Sequence, residues 1–97
     1  MESSHSISVT THTLAFFTSL LTILPAKSPS DRTCYRHVAQ WLGDGVRAGR
    51  FNDEIFGRVL LMVQEASAGY ARNPRAVLMS NLRKELHYVP RTRATGI

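Results

Sequence analysis

"FNDEIFGRVLLMVQEASAGY", residues 51–70, decides the fold. Its apolar positions Ile55, Phe56, Val59, Leu60, Met62, Val63 and Ala66 recur at the intervals of a helix, without the alternation of a strand. Asn52 stands ahead of them as an N-cap, Asp53 and Glu54 fall where a helix dipole favours anions, and Gly69 supplies a stop. An apolar arc this wide covers most of the helix's girth, so neighbours must enclose it. The segment is expected to be the central helix of an all-α protein, a small bundle of about four short helices.

The segments on either side supply the neighbours. In "SPSDRTCYRHVAQWLGDGVRAGRF", Ser28 is placed as an N-cap, Pro29 at the first helical position, and Asp31 where an acid reaches back to the helix start. The inward stripe of that helix would be Tyr35, Val38, Leu42 and Val46, with Ala39 beside it. The Gly43-Asp44-Gly45 triplet costs up to about 1 kcal/mol per glycine relative to Ala, so a kink or early stop is expected there. Upstream, Leu14, Phe17, Leu21 and Leu24 keep helical spacing, with Phe16, Leu20 and Ile23 widening the face. This predicts a helix from about Thr11 to Leu24, ended by Pro25. In the last segment, Asn73 caps, Pro74 opens the helix, and Leu78, Leu82, Leu86 and Val89 form one stripe flanked by Met79. Pro90 is its expected end.

A chain of 97 residues with one such core makes a single domain. We assign residues 1–10 to a flexible N-terminal segment, 11–89 to the helical domain, and 90–97 to a flexible basic tail. Cys34 is the one cysteine, so no disulfide forms within the chain and a reducing, cytoplasmic setting is expected. The apolar run "LAFFTSLLTIL" is too short for a bilayer and is broken by hydroxyl residues. No Lys or Arg precedes it, as a signal peptide would require.

No arrangement of residues supports catalysis. Cys34 and His37 have a C-x-x-H spacing with Asp31 a turn before, yet no oxyanion donor or glycine-rich loop accompanies them. As zinc ligands they form half a site, and His5 and His12 lie in the polar N-terminal stretch. We therefore expect no enzyme, no cofactor and no metal. Trp41, to one side of its helix's stripe, is expected to pack in the core under the first helix.

Charge is the remaining signal. With 12 Lys+Arg against 7 Asp+Glu the net charge is +5, every cation lies at or after Lys27, and ten of the twelve are Arg. The planar guanidinium suits phosphate and carboxylate better than an ammonium does. Arg32, Arg36 and Arg47 form a line on the helix that follows Ser28. Arg83, His87, Ser80 and Lys84 fall together on the far side of the last helix, with Tyr88 beside Lys84. Asp44, Glu65 and Glu85 are read as lying off both lines. Arg72 and Arg75 occupy a first turn, where cations oppose the dipole, and the peptide N–H groups after Asn73 make that start a seat for phosphate. The tail adds Arg91 and Arg93. Clustered cations of this kind are the footprint of a polyanion binder.

"ARNPRAVLMSNLRKEL", residues 71–86, resembles the last helix of the helical domain of DnaD-type primosome and replication-initiator proteins. The resemblance implies an all-α module that binds single-stranded or forked DNA and meets other replication proteins. Val77 stands where that family carries an aromatic, so the electrostatic part carries over and base stacking does not. The reading is a small nucleic-acid-binding protein or subunit that contacts phosphate through Arg32, Arg36, Arg47, Arg72, Arg75, Arg83, Lys84, Arg91 and Arg93, with DNA expected ahead of RNA. The alternative is an adaptor that docks on a protein partner, or on its own copy, through Phe16, Phe17 and Leu20.

Overall fold

Among the described residues, 2–69 and 72–89, with side chains described from Val9 onward, the computed structural model contains four helices and no strand. They are α1 (Glu2–Ile23), α2 (Pro29–Arg47), α3 (Ile55–Ala68) and α4 (Pro74–Leu86). The fold is a small all-α bundle, as the hydrophobic spacing predicts.

The arc of α3 is enclosed as expected: Val59 and Val63 are both 0% exposed, and Ile55, Phe56, Met62 and Ala66 join them in the core. α3 packs against α1 and α4, while α1 packs against α2 as well, so α1 and α3 share the central position. Asn52 does not cap the helix directly. Its Oδ1 accepts from the Glu54 N–H at 3.1 Å, which forms a turn ahead of Ile55.

α1 begins at Glu2, not near Thr11, and presents a different stripe from the one expected. Val9, Phe16, Leu20 and Leu24 are buried, whereas Leu14 is 62% exposed and Phe17 and Leu21 lie at the margin. The apolar residues of α1 fill two adjacent stripes, and either would satisfy helical spacing. What selects one is a close approach to α2. A Cβ built on Gly43 would lie 2.6 Å from Thr13 Oγ1, and the Thr13 hydroxyl donates to the Val9 carbonyl at 2.8 Å. The notch at Gly43 thus receives Thr13, and that register turns Phe16 and Leu20 inward. Arg47 Nη2 donates to Thr10 Oγ1 at 3.0 Å and ties the Thr-rich part of α1 to the end of α2.

The glycine triplet therefore does not break α2, which runs through it to Arg47. Gly45 is the second notch, since a Cβ there would meet the Phe51 ring at 2.5 Å. The helix ends instead at Gly49, whose φ of 82° is the left-handed conformation that glycine adopts without a steric penalty. The Gly49 N–H donates to Val46 O at 3.1 Å and the Arg50 N–H to Gly45 O at 2.8 Å, closing a Schellman motif that folds Phe51 back over Gly45.

α4 also stops earlier than its aliphatic stripe suggests. His87 takes a left-handed conformation (φ 61°), and the Tyr88 N–H closes onto Leu82 O at 3.3 Å. The reversal exchanges the two residues that follow: Tyr88 is 3% exposed and Val89 is 75% exposed. Tyr88, expected beside Lys84 on the polar face, is a core residue. Its ring stands edge-on to Trp41 at 4.9 Å, and Phe51 meets the same indole at 5.4 Å. Trp41 accordingly packs between Phe51 and Tyr88, not under α1.

α2 and α4 lie side by side and run parallel. Asp31 meets Arg75 near the two starts, Cys34 Sγ lies 3.8 Å from Met79 Sδ further along, and Trp41 meets Tyr88 near the two ends. The positive ends of the two helix dipoles therefore share one end of the bundle.

Candidate functional site

At that end, Leu24, Pro25, Lys27, Asp31, Tyr35 and the Arg72–Arg75 segment line a pocket of about 390 Å³. Both helix starts that frame it are built as their sequences predict. Ser28 Oγ accepts from the Asp31 N–H at 3.2 Å and Pro29 occupies the first helical position; Asn73 Oδ1 accepts from the Ala76 N–H at 3.2 Å and Pro74 follows it. These caps use up first-turn donors. With the Val77 N–H bonded to Asn73 O and no N–H on Pro74, Arg75 supplies the remaining first-turn amide of α4. The helix starts contribute two aligned dipoles more than a row of open N–H groups.

Asp31 joins the two starts. One carboxylate oxygen accepts from the Lys27 N–H at 3.0 Å, and the other pairs with Arg75 Nε at 2.9 Å. Arg75 therefore does not swing out into water as an unpaired cation. Its position in a first turn has an internal explanation, a carboxylate across the helix–helix seam, although the pair uses Nε and leaves the terminal nitrogens for a second anion. The pocket thus holds three cations, Lys27, Arg72 and Arg75, against one carboxylate whose two oxygens are both engaged.

Tyr35 forms the floor. It is 1% exposed, and among the described residues its hydroxyl has no hydrogen-bond partner. No fully enclosed side-chain oxygen or nitrogen among those residues lacks a partner, so the sliver of Tyr35 that remains open is its hydroxyl, at the pocket wall. Burial, and after it the charge of Asp31, pushes the phenol pKa above its ordinary value of 10.0; Arg75 acts in the opposite direction. The group stays a protonated donor.

The remaining expected cations are dispersed. Arg36 lies 6.0 Å from the centre of the Phe17 ring, and Arg47 reaches Thr10 and Asp44 (3.5 Å), so the row on α2 follows the α1 seam. α4 meets α2 on its other flank, through Asp31, Cys34 and Trp41. The row on α2 and the pair Arg83 and Lys84 consequently do not merge into one face. Arg83 and Lys84 are exposed in the last turn of α4, where the helix dipole itself favours cations. Arg32 and Arg72 are exposed near the starts of their helices, whereas Arg91 and Arg93 lie outside the described residues. Two acids expected off the cationic lines are in fact paired, Asp44 with Arg47 and Glu85 with Arg58.

Of the residues expected to meet a protein partner, Phe16 and Leu20 are 2% and 0% exposed and belong to the chain's own core, where Phe16 packs against Phe56 at 5.9 Å. Phe17 alone of the three reaches the surface. The Cys34 sulfur is taken up by Met79. Among the described residues no three His, Cys, Asp or Glu side chains gather as metal ligands would, and no helix is long and apolar enough to cross a membrane. Lys27 and Tyr35 were not singled out in the sequence as site residues. Lys27 directly precedes the Ser28 cap, a signal of position; Tyr35 is buried as its place in the inward stripe predicts, but its place at a pocket depends on where α4 lies. No family model, curated protein or solved structure matches the chain.

Proposed function

We propose that the protein is a basic helical module that binds nucleic acid through its phosphates, without reading sequence. The observation that carries this reading is the shared end of α2 and α4. There two aligned dipoles, Lys27, Arg72 and Arg75 act in the same sense, and the one carboxylate among them is already satisfied. Arg32, Arg36, Arg83 and Lys84, all exposed, extend the positive potential along the flanks. Arg47 contributes less, because Asp44 faces it. The resemblance of residues 71–86 to the last helix of DnaD-type modules favours single-stranded or forked DNA as the polymer. Among the described residues the one ring that lies against these cations is the half-buried Phe17 beneath Arg36, so affinity should be mainly electrostatic and sequence-tolerant.

The test is a salt titration of binding to single-stranded and duplex oligonucleotides. A Lys27→Ala, Arg72→Ala variant should lower the slope of log K against log salt on single strands by roughly 1.4, the value for two lost phosphate contacts. Arg83→Ala, Lys84→Ala should lower it less, since the dipole of α4 disfavours anions at that end. Binding and slopes unchanged in both variants, with helicity intact by circular dichroism, would refute the proposal.

A further inference from the structure

We propose that the pocket between the starts of α2 and α4 is a discrete site for a single phosphate group borne on an organic ligand, with the hydroxyl of the otherwise buried Tyr35 as its inner donor. The proposal rests on the phosphate-binding reading above but goes beyond it. A polymer backbone held by exposed cations needs no pocket and no buried donor.

A hydroxyl on a side chain that is 1% exposed, with no protein partner among the described residues, lowers stability unless water or a ligand takes its proton. Nothing in the packing requires it here, because the ring of phenylalanine would fill the same space. The hydroxyl borders a pocket whose lining includes cations from two separate parts of the chain, Lys27 from one and Arg72 and Arg75 from the other. A neutral donor at the floor with cations at the rim is an arrangement suited to an oxyanion. It could not serve a metal ion, for which the donors have the wrong sign. The charge of Asp31 opposes an anion, but the carboxylate is paired with Arg75 Nε and takes the Lys27 N–H, so it holds Arg75 at the pocket while three cations still outnumber one acid.

The rest of the lining identifies the ligand class. Leu24, Pro25 and Pro74 give the pocket an apolar side that inorganic phosphate would leave unused. The volume of about 390 Å³ lies within the range of sites that enclose small organic ligands. A phosphomonoester with a sugar or base to lay against the two prolines, such as a nucleotide or the 5′ end of a strand, uses both halves of the pocket.

The experiment titrates thymidine 5′-monophosphate, inorganic phosphate and thymidine into the full chain, followed by amide chemical shifts. The expected result is saturable binding of the nucleotide with the largest shifts at Tyr35 and Arg72–Arg75, weaker binding of phosphate, and none of thymidine; phosphate bound as tightly as the nucleotide would overturn the assignment of an organic ligand. Tyr35→Phe, which keeps the ring and the core, should weaken nucleotide binding by about tenfold, the weight of one hydrogen bond to a charged group. Arg72→Ala, at an exposed position, should weaken it comparably, whereas Arg83→Ala, Lys84→Ala should leave it unchanged. Nucleotide binding that does not saturate by about 10 mM, or that Tyr35→Phe leaves unaltered, overturns the pocket. If oligonucleotides still bind in that case with a salt slope that the cation variants reduce, the surface reading survives alone. Saturable nucleotide binding without oligonucleotide binding has the converse meaning.

Discussion

Replacing Gly43 with alanine should change sign according to what stands at position 13. In an ordinary helix interior, Gly→Ala stabilises by about 1 kcal/mol, because alanine loses less backbone entropy. Here the new Cβ would lie 2.6 Å from Thr13 Oγ1 and 3.7 Å from Thr13 Cβ. The methyl therefore collides with the hydroxyl and only touches the carbon behind it. Thr13 cannot move away freely, since its hydroxyl donates to Val9 O at 2.8 Å; turning it aside forfeits a hydrogen bond worth about 1 kcal/mol. Forcing one methyl into such a contact costs about 1–3 kcal/mol. Gly43→Ala alone should thus be neutral to destabilising by about 2 kcal/mol, which for a chain of this length lowers Tm by up to roughly 10 °C. In a Thr13→Ala background the obstructing oxygen is gone, and the same substitution should stabilise by the full propensity gain of about 1 kcal/mol. The double-mutant cycle, read from urea unfolding at 222 nm, should return a coupling of about 1–3 kcal/mol. A Gly43→Ala protein that is more stable than wild type by about 1 kcal/mol, with no coupling to position 13, would refute the close contact of α1 with α2 and with it the register of α1.

Burial and Asp31 hold the Tyr35 phenol protonated above 10.0, so between that value and its folded-state pKa the unfolded chain carries fewer protons than the native one. The contribution of Tyr35 is accordingly complete below pH 10 and declines as pH rises through the folded value; urea midpoints compared at about pH 9 and pH 11 should fall further for wild type than for Tyr35→Phe, and parallel declines would count against the burial of the hydroxyl. Trp41 is the one tryptophan, and the Tyr88 ring covers it edge-on at 4.9 Å. Tyr88→Ala should red-shift its emission and cost about 3 kcal/mol, and an unshifted spectrum would show that Trp41 is shielded by something else.

How much of this was legible in the sequence depends on how many registers each segment permits. α3 leaves little to choose, because its arc is so wide that Val59, Met62, Val63 and Ala66 at its centre are buried whichever margin is exposed, and it is Leu60, at the margin, that is only half covered. The caps at Ser28 and Asn73 were readable for the same reason, being local chemistry within three residues. α1 permits two, and the choice between Leu14 and Phe16 is made by Thr13 meeting a glycine on another helix. Tyr88 and Val89 exchange roles because His87 adopts a left-handed conformation that a non-glycine residue seldom signals in advance. The candidate site was half readable. Arg72, Arg75 and the Asn73 start stand out in one stretch, but Lys27, Asp31 and Tyr35 join them only through the parallel course of α2 and α4.

That parallel course also sets an order of events. Helices α1 and α2 are joined by a short connection and are expected to meet early, whereas Cys34 and Met79 are separated by 45 residues and α4 comes after α3 in the chain. By loop-closure cost the α2–α4 seam is expected to close last, and the pocket at its end forms only where both helix starts are in place. An anion bound there can stabilise only the completed fold. It should raise the free energy of global unfolding by the full mass-action amount and slow the release of α4 in particular, so that amide exchange in α4 reports occupancy of the pocket from a helix whose far end never touches the ligand.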